Sequence, residues 1–268
     1  MSSYKIEAGT AQHIGSRAQQ NDRAALLTGA RAPGYILAVL ADGLAGGAIA
    51  PEQVLHTAKL VFNEFKPGDA ATIERMAGLL REIVHETHLV IKMNGVTSGT
   101  EPHASFAALV ISPQGQAVWA HVGDSRLYRF ANGECRARTS DAGYIEHLAS
   151  AENTTFDAAK AHRQSPLLLN VLGNVHREPY VAIGSHEGLA AGDAFLLCSD
   201  GLWGYFTDTE LGSVMNKNAP RQASEMLIKK AAERADGKGD NCTMAIIKLV
   251  HPPQEIPNYT VQKMRRAI

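Results

Sequence analysis

The stretch AVWAHVGDSRLYRF, Ala117 to Phe130, decides the fold class. Two apolar, strand-like halves, Ala117 to Val122 and Arg126 to Phe130, flank Gly123-Asp124-Ser125. Glycine and aspartate between apolar runs are turn chemistry, so the stretch reads as a β-hairpin. Further strand-like runs lie on both sides: Tyr35 to Ala41, Ala104 to Ser112, Ala194 to Cys198 and Thr243 to Leu249. Helical period appears in Glu52 to Phe65 and in Ala70 to Met93, where Asn94-Gly95 reads as a stop. A third helix is read from Arg221 to Ala235. Strands, a helix pair, strands, a helix and a closing strand do not form a regular βαβ alternation. The class expected is therefore α+β with mainly antiparallel sheets.

The domain reading is one unit over 1–250, with a polar, irregular flap at 135–178 and a proline-interrupted tail at 251–268. Lysine plus arginine number 26 and aspartate plus glutamate 27, so bulk charge gives no purchase on nucleic acid or an anionic membrane. The amino terminus lacks the apolar core of a signal peptide, and no apolar run reaches membrane-spanning length. The three cysteines are isolated, which suits a reducing compartment and a cytoplasmic protein. Cys198 and Cys242 are read as buried thiols. The 11 histidines show neither HxH nor HExxH spacing, which disfavours zinc. The LAGG glycines are not followed by Gly-Lys-Ser/Thr, so they make no Walker loop. Trp203 reads as a core anchor, and a monomer is the default expectation.

Aspartates recur at the ends of apolar runs: Asp42 in YILAVLADGLAGG, Asp124 in the hairpin stretch, Asp200 in DAFLLCSDGLWGYF and Asp240 in GKGDNCTMAIIKL. A buried strand that ends in a carboxylate carries charge to the rim of a core. Repeating this is costly unless a cation gathers the charges, and hard divalent ions suit carboxylate oxygen.

In order and wording these motifs resemble the PPM family of metal-dependent protein serine/threonine phosphatases, the protein phosphatase 2C type. The resemblance rests on GSRAQQND (Gly15 to Asp22), ADGLAGG (Ala41 to Gly47), the small-residue strand Ala104 to Ile111, GDSRLYR (Gly123 to Arg129), SDGLW (Ser199 to Trp203) and DNCT (Asp240 to Thr243). It spans residues 8 to 249. It implies a β-sandwich of two antiparallel sheets flanked by helix pairs, an αββα architecture. It further implies two Mn²⁺ or Mg²⁺ ions: Asp42 bridges them with help from the Gly43 carbonyl, Asp200 and Asp240 complete one shell, and Asn21 adds an amide ligand. Asp124 with Asp200 would hold a third, weaker ion. Arg17 is the implied phosphate clamp, and Asp22 the carboxylate that orients the attacking water. The implied substrates are phosphorylated proteins, and the implied partner a cognate serine/threonine kinase.

The chain departs from the family pattern in places. Asn21 stands where the family has glutamate, and Leu44 where some members have a histidine after Asp-Gly. Thr139-Ser140-Asp141-Ala142-Gly143 lacks the histidine of the family's Thr-x-Asp-His-Ser segment. The leaving-group acid is therefore unassigned, with His103 a candidate. These departures motivate an alternative, a pseudophosphatase that binds phosphoproteins without turnover.

Overall fold

The computed structural model describes residues 4–45, 47–68, 72–140 and 170–252. Most of the flap and the tail beyond residue 252 lie outside the described residues.

Two five-stranded antiparallel sheets face each other. One runs β2 (Arg23–Gly29), β3 (Ala32–Ala45), β4 (His103–Ile111), β5 (Gln116–Val122) and β8 (Ala182–Glu187). The other runs β1 (Lys5–His13), β10 (Cys242–Val250), β9 (Asp193–Cys198), β6 (Arg126–Ala131) and β7 (Glu134–Arg138). Helices α1 (Ile49–Glu64) and α2 (Ile73–Ser98) cover the first sheet. A short α3 (Asp200–Trp203), α4 (Asp208–Lys217) and α5 (Pro220–Ala235) cover the second.

Three apolar layers follow from the period-2 alternation of the strands. Ala38, Leu40, Ala107, Leu109, Phe195, Leu197, Ala245 and Ile247 fill the space between the sheets. Leu37, Val39, Phe106 and Val110 turn the other way, onto α1 and α2. Leu196, Met244 and Ile246 turn toward α5. The central strands are thus covered on both faces. This is why they read as continuous apolar runs rather than alternating ones. Cys198 and Cys242 are free and buried in the outer layer.

The antiparallel α+β class holds, and the fold is the two-sheet sandwich between helices. The hairpin does not hold. Val122 ends β5 in one sheet, Arg126 opens β6 in the other, and the two strands do not pair. Gly123-Asp124-Ser125 is a crossover between sheets. Gly123 takes φ +83°, and a Cβ there would lie 2.8 Å from Ser105. The Ser105 and Ser125 hydroxyls, 2.6 Å apart and fully buried, tie the crossover to β4. Turn residues between apolar runs specify a change of direction but not the partner strand.

The Asn94-Gly95 stop is also overturned. Helix α2 continues to Ser98 and is closed by Gly99 at φ +67°. Gly95 is small for packing: a Cβ would sit 2.8 Å from the Thr100 carbonyl of the returning chain. Cys135 to Arg138, read as flap, form most of β7 against β6.

Among the described residues no helix is long and apolar enough to cross a membrane.

Candidate metal centre

Several apolar lines between the sheets end in polar residues at one edge of the sandwich. On β3 the inward line Ala38-Leu40 continues to Asp42. On β2 the line Leu26-Ala24 continues back to Asp22. On β9 Phe195-Leu197 continues to Ser199, after which Asp200 opens α3. On β10 Ala245 continues back to Thr243, preceded by Asn241 and Asp240. Antiparallel pairing brings strand starts and ends to the same edge; Asp42, for example, lies opposite Ser105.

Hydroxyls and an amide clasp this edge. Ser199 donates from Oγ to Asp22 Oδ2 at 2.8 Å and accepts from the Thr243 N–H at 3.0 Å. Asn241 accepts at Oδ1 from the Asn21 N–H at 2.7 Å. Its Nδ2 donates to the carbonyls of Ile14 at 2.7 Å and Gln19 at 3.0 Å. The indole of the half-buried Trp203 donates to the Asp124 carbonyl at 3.0 Å, and the Arg126 guanidinium lies 3.4 Å from its ring centroid. Trp203 thus anchors the crossover as well as the core. Gly201 has no alternative: a Cβ would lie 2.1 Å from the Asn241 carbonyl. Gly43 packs beside Asn21, whose Cβ would be 3.1 Å from an added Cβ.

The carboxylates crowd one another. Burial, then the charges of Asp22, Asp200 and Asp124, push Asp42 up to about 10. Burial lifts Asp22 to about 6 against the Ser199 hydrogen bond, and Asp22 is fully buried. Burial, with Asp124 and Asp240 nearby, lifts Asp200 to about 6. Asp240 differs. Burial pushes it up, but the hydrogen bonds from Arg17 and the Asn241 N–H outweigh that and hold it below the usual range. The same pairing raises Arg17.

Arg17 forks Asp240, with Nε 2.7 Å from Oδ1 and Nη2 2.5 Å from Oδ2. The expected phosphate clamp is therefore engaged by an expected metal ligand. A guanidinium fork fits carboxylate and phosphoryl oxygens alike. His103 stands two residues before Ser105; its Nε2 is buried without a hydrogen-bond partner, and burial lowers its pKa.

The donor set suits a hard cation. It is all oxygen, and the buried Asn21 Oδ1, Asp22 Oδ1 and Thr243 Oγ1 have no hydrogen-bond partner. Among the described residues no three acidic, histidine or cysteine side chains form a ready-made cage, so the fit is one of donor chemistry and uncompensated charge.

Ser199, Thr243, Asn241, Ser105 and Ser125 lie inside the quoted motifs, but the motif reading gives them no role. Their signal is parity: each stands an even number of residues from an inward-facing apolar position, at or just beyond the site end of its strand.

No family model matches the chain. It is 28% identical over 228 residues to the serine/threonine phosphatase stp of Listeria monocytogenes, covering 79% of this chain and 84% of the relative. The fold is shared with the Streptococcus agalactiae serine/threonine phosphatase, at TM-score 0.75 and 24% identity over 91% of this chain and 99% of the other. It is also shared with the catalytic domain of serine/threonine protein phosphatase PstP in complex with two manganese ions, at TM-score 0.66 and 23% identity over 91% and 98%.

Proposed function

We propose that this chain, a PPM-family protein serine/threonine phosphatase of the protein phosphatase 2C type by its relatives and fold, is metal-dependent. In this reading it removes phosphate from phosphoserine and phosphothreonine in proteins and so opposes a serine/threonine kinase. The observation that carries the reading is Asp42, half-buried on β3 opposite Ser105, where the charges of Asp22, Asp200 and Asp124 add to burial in raising its pKa. Asp42, Asp200 and Asp240, with the Gly43 carbonyl and Asn21, are the residues that would hold Mn²⁺ or Mg²⁺. Asp124 with Asp200 would hold a third ion. When bound, such ions supply Lewis acidity and a nucleophile available at neutral pH.

The chain's own groups do the positioning. Arg17 lies at the rim, its side chain 60% exposed, where a fork can take two phosphoryl oxygens and stabilise charge that develops on them. Asp22 is held at one oxygen by Ser199, which leaves Oδ1 as an acceptor to align the attacking water. Asn21 in place of a glutamate keeps an oxygen donor but brings no charge.

The test is phosphate release from a phosphothreonine peptide with Mn²⁺, with Mg²⁺ and after chelation, alongside Asp200→Ala. Release that needs both the metal and Asp200 is expected. A folded protein that binds the peptide yet releases no phosphate under any metal would overturn the reading in favour of a binding module without turnover.

A further inference from the structure

We propose that Asn241 is a positioning residue, the clasp that holds the Arg17–Asp22 segment in register with the carboxylates of β3, α3 and the turn before β10. The proposal rests on the phosphatase reading above. Asn241 is 4% exposed. A side-chain amide offers two donors and two acceptor lone pairs. Three of these four capacities are used, and all three go to one segment: Ile14 O at 2.7 Å, Gln19 O at 3.0 Å and Asn21 N at 2.7 Å. Its own backbone N–H donates to Asp240 Oδ1 at 2.7 Å. One residue therefore sets the segment that carries Arg17, Asn21 and Asp22, and also orients the Asp240 carboxylate.

The segment needs such a clasp. Residues 14–22 belong to no strand, lying between the end of β1 and the start of β2. Their other ties to β10's leading turn are the Ser16 N–H and hydroxyl, both on the Gly239 carbonyl at 2.8 and 2.9 Å, and the exposed Arg17 fork on Asp240 at 2.7 and 2.5 Å. Those ties fix the start of the segment. Asn241 brackets Arg17, with Ile14 held on one side and Gln19 and Asn21 on the other. The chemistry asks for asparagine in particular. Aspartate has no donors and would face two carbonyl oxygens. Alanine would strand two carbonyls and an N–H. Glutamine is one methylene too long for the same three bonds.

The test uses the full chain with Asn241→Asp, Asn241→Ala and the milder Asn241→Ser, whose hydroxyl keeps one donor. Leu109→Ala, in the core between the sheets, is the control for lost stability alone. Mn²⁺ affinity of the metal-free protein is measured by calorimetry. kcat and KM for a phosphothreonine peptide are measured at saturating Mn²⁺, well below each melting temperature. For the folded Asn241 variants the expected result is Mn²⁺ binding weakened roughly tenfold or more, with kcat also lowered. Leu109→Ala should melt earlier yet keep both values within about twofold of wild type. Asn241 variants that bind Mn²⁺ and turn over like wild type would overturn the assignment. So would a Leu109→Ala that loses both to the same extent. A wild type that neither binds Mn²⁺ nor releases phosphate would instead overturn the phosphatase reading, and the clasp with it.

Discussion

Asp42 is where residue chemistry and fold meet most sharply. Its place is fixed by parity, two residues past Leu40 on the inward face of β3, so it cannot turn to solvent without moving the strand. Burial and three neighbouring carboxylates raise it to about 10, against an ordinary 3.8. The sign follows. Well below pH 3.8 the group is neutral folded or unfolded and costs nothing. As pH rises toward 10 the unfolded chain sheds the proton while the folded, metal-free protein must keep it, so stability is lost. Asp42→Asn removes this titration. In chelator, the gap between variant and wild type should be smallest in acid, below the ordinary 3.8, and the variant should grow more stable than wild type toward pH 9. The wild-type-minus-variant difference cancels the opposite contribution of His88, His103 and His121, whose pKa values burial lowers. Mn²⁺ at pH 8 should stabilise wild type and not the variant. Denaturant melts across pH read this out, and a difference that is flat with pH would contradict it. The aspartates were legible because a carboxylate after an apolar run is anomalous. Ser199, Thr243 and Asn241 were not, because hydroxyls and amides at strand ends are commonplace and only the facing segment gives them a task.

The strands legible in the sequence are the inner ones of the two sheets, β5 and β6 among them, and the amphipathic helices α1, α2 and α5 are legible too. β3, β4, β9 and β10 are continuous apolar runs and were read within a few residues of their observed bounds. β1, β7 and β8 lie at sheet edges, and their half-exposed patterns carry no such run. β2, also at an edge, is short and starts beside the charged site. α4 is not among the legible elements, although Thr207 and Glu210 form a full capping box at its start. The partner of each strand was the least legible feature, since the Gly123 crossover and a hairpin turn use the same residue types. One contact between elements makes a sharp prediction. α3 starts where β10's leading turn passes, and a Cβ on Gly201 would be 2.1 Å from the Asn241 carbonyl. Gly201→Ala must push two backbones apart, at a cost on the order of 2–4 kcal/mol. It should lower the melting temperature and weaken Mn²⁺ binding together. A variant that matches wild type in both would show that α3 and β10 do not constrain each other.

Across the whole molecule, the layer between the sheets is a shared foundation. β3 and β4 from one sheet and β9 and β10 from the other each contribute to it and each supply polar residues to the same rim. We expect the two sheets to unfold as one cooperative unit. Leu109→Ala should cost about 2–5 kcal/mol, with coincident transitions by near- and far-ultraviolet circular dichroism. Two separated transitions would show that the sheets fold independently. The class and the site's edge were legible from sequence because both depend on which runs are apolar and how they end. The clasping of the 14–22 segment onto β10 was not, because it is made across 220 or more residues by single hydrogen bonds. The most direct test of the central claim is equilibrium dialysis of Mn²⁺ against the metal-free chain, wild type beside Asp42→Asn. The proposed ligand set, with its third ion the weaker, predicts about two tightly held ions per wild-type chain and a lost or greatly weakened site in the variant. No Mn²⁺ bound to folded wild type, or undiminished binding without the Asp42 charge, would contradict the account.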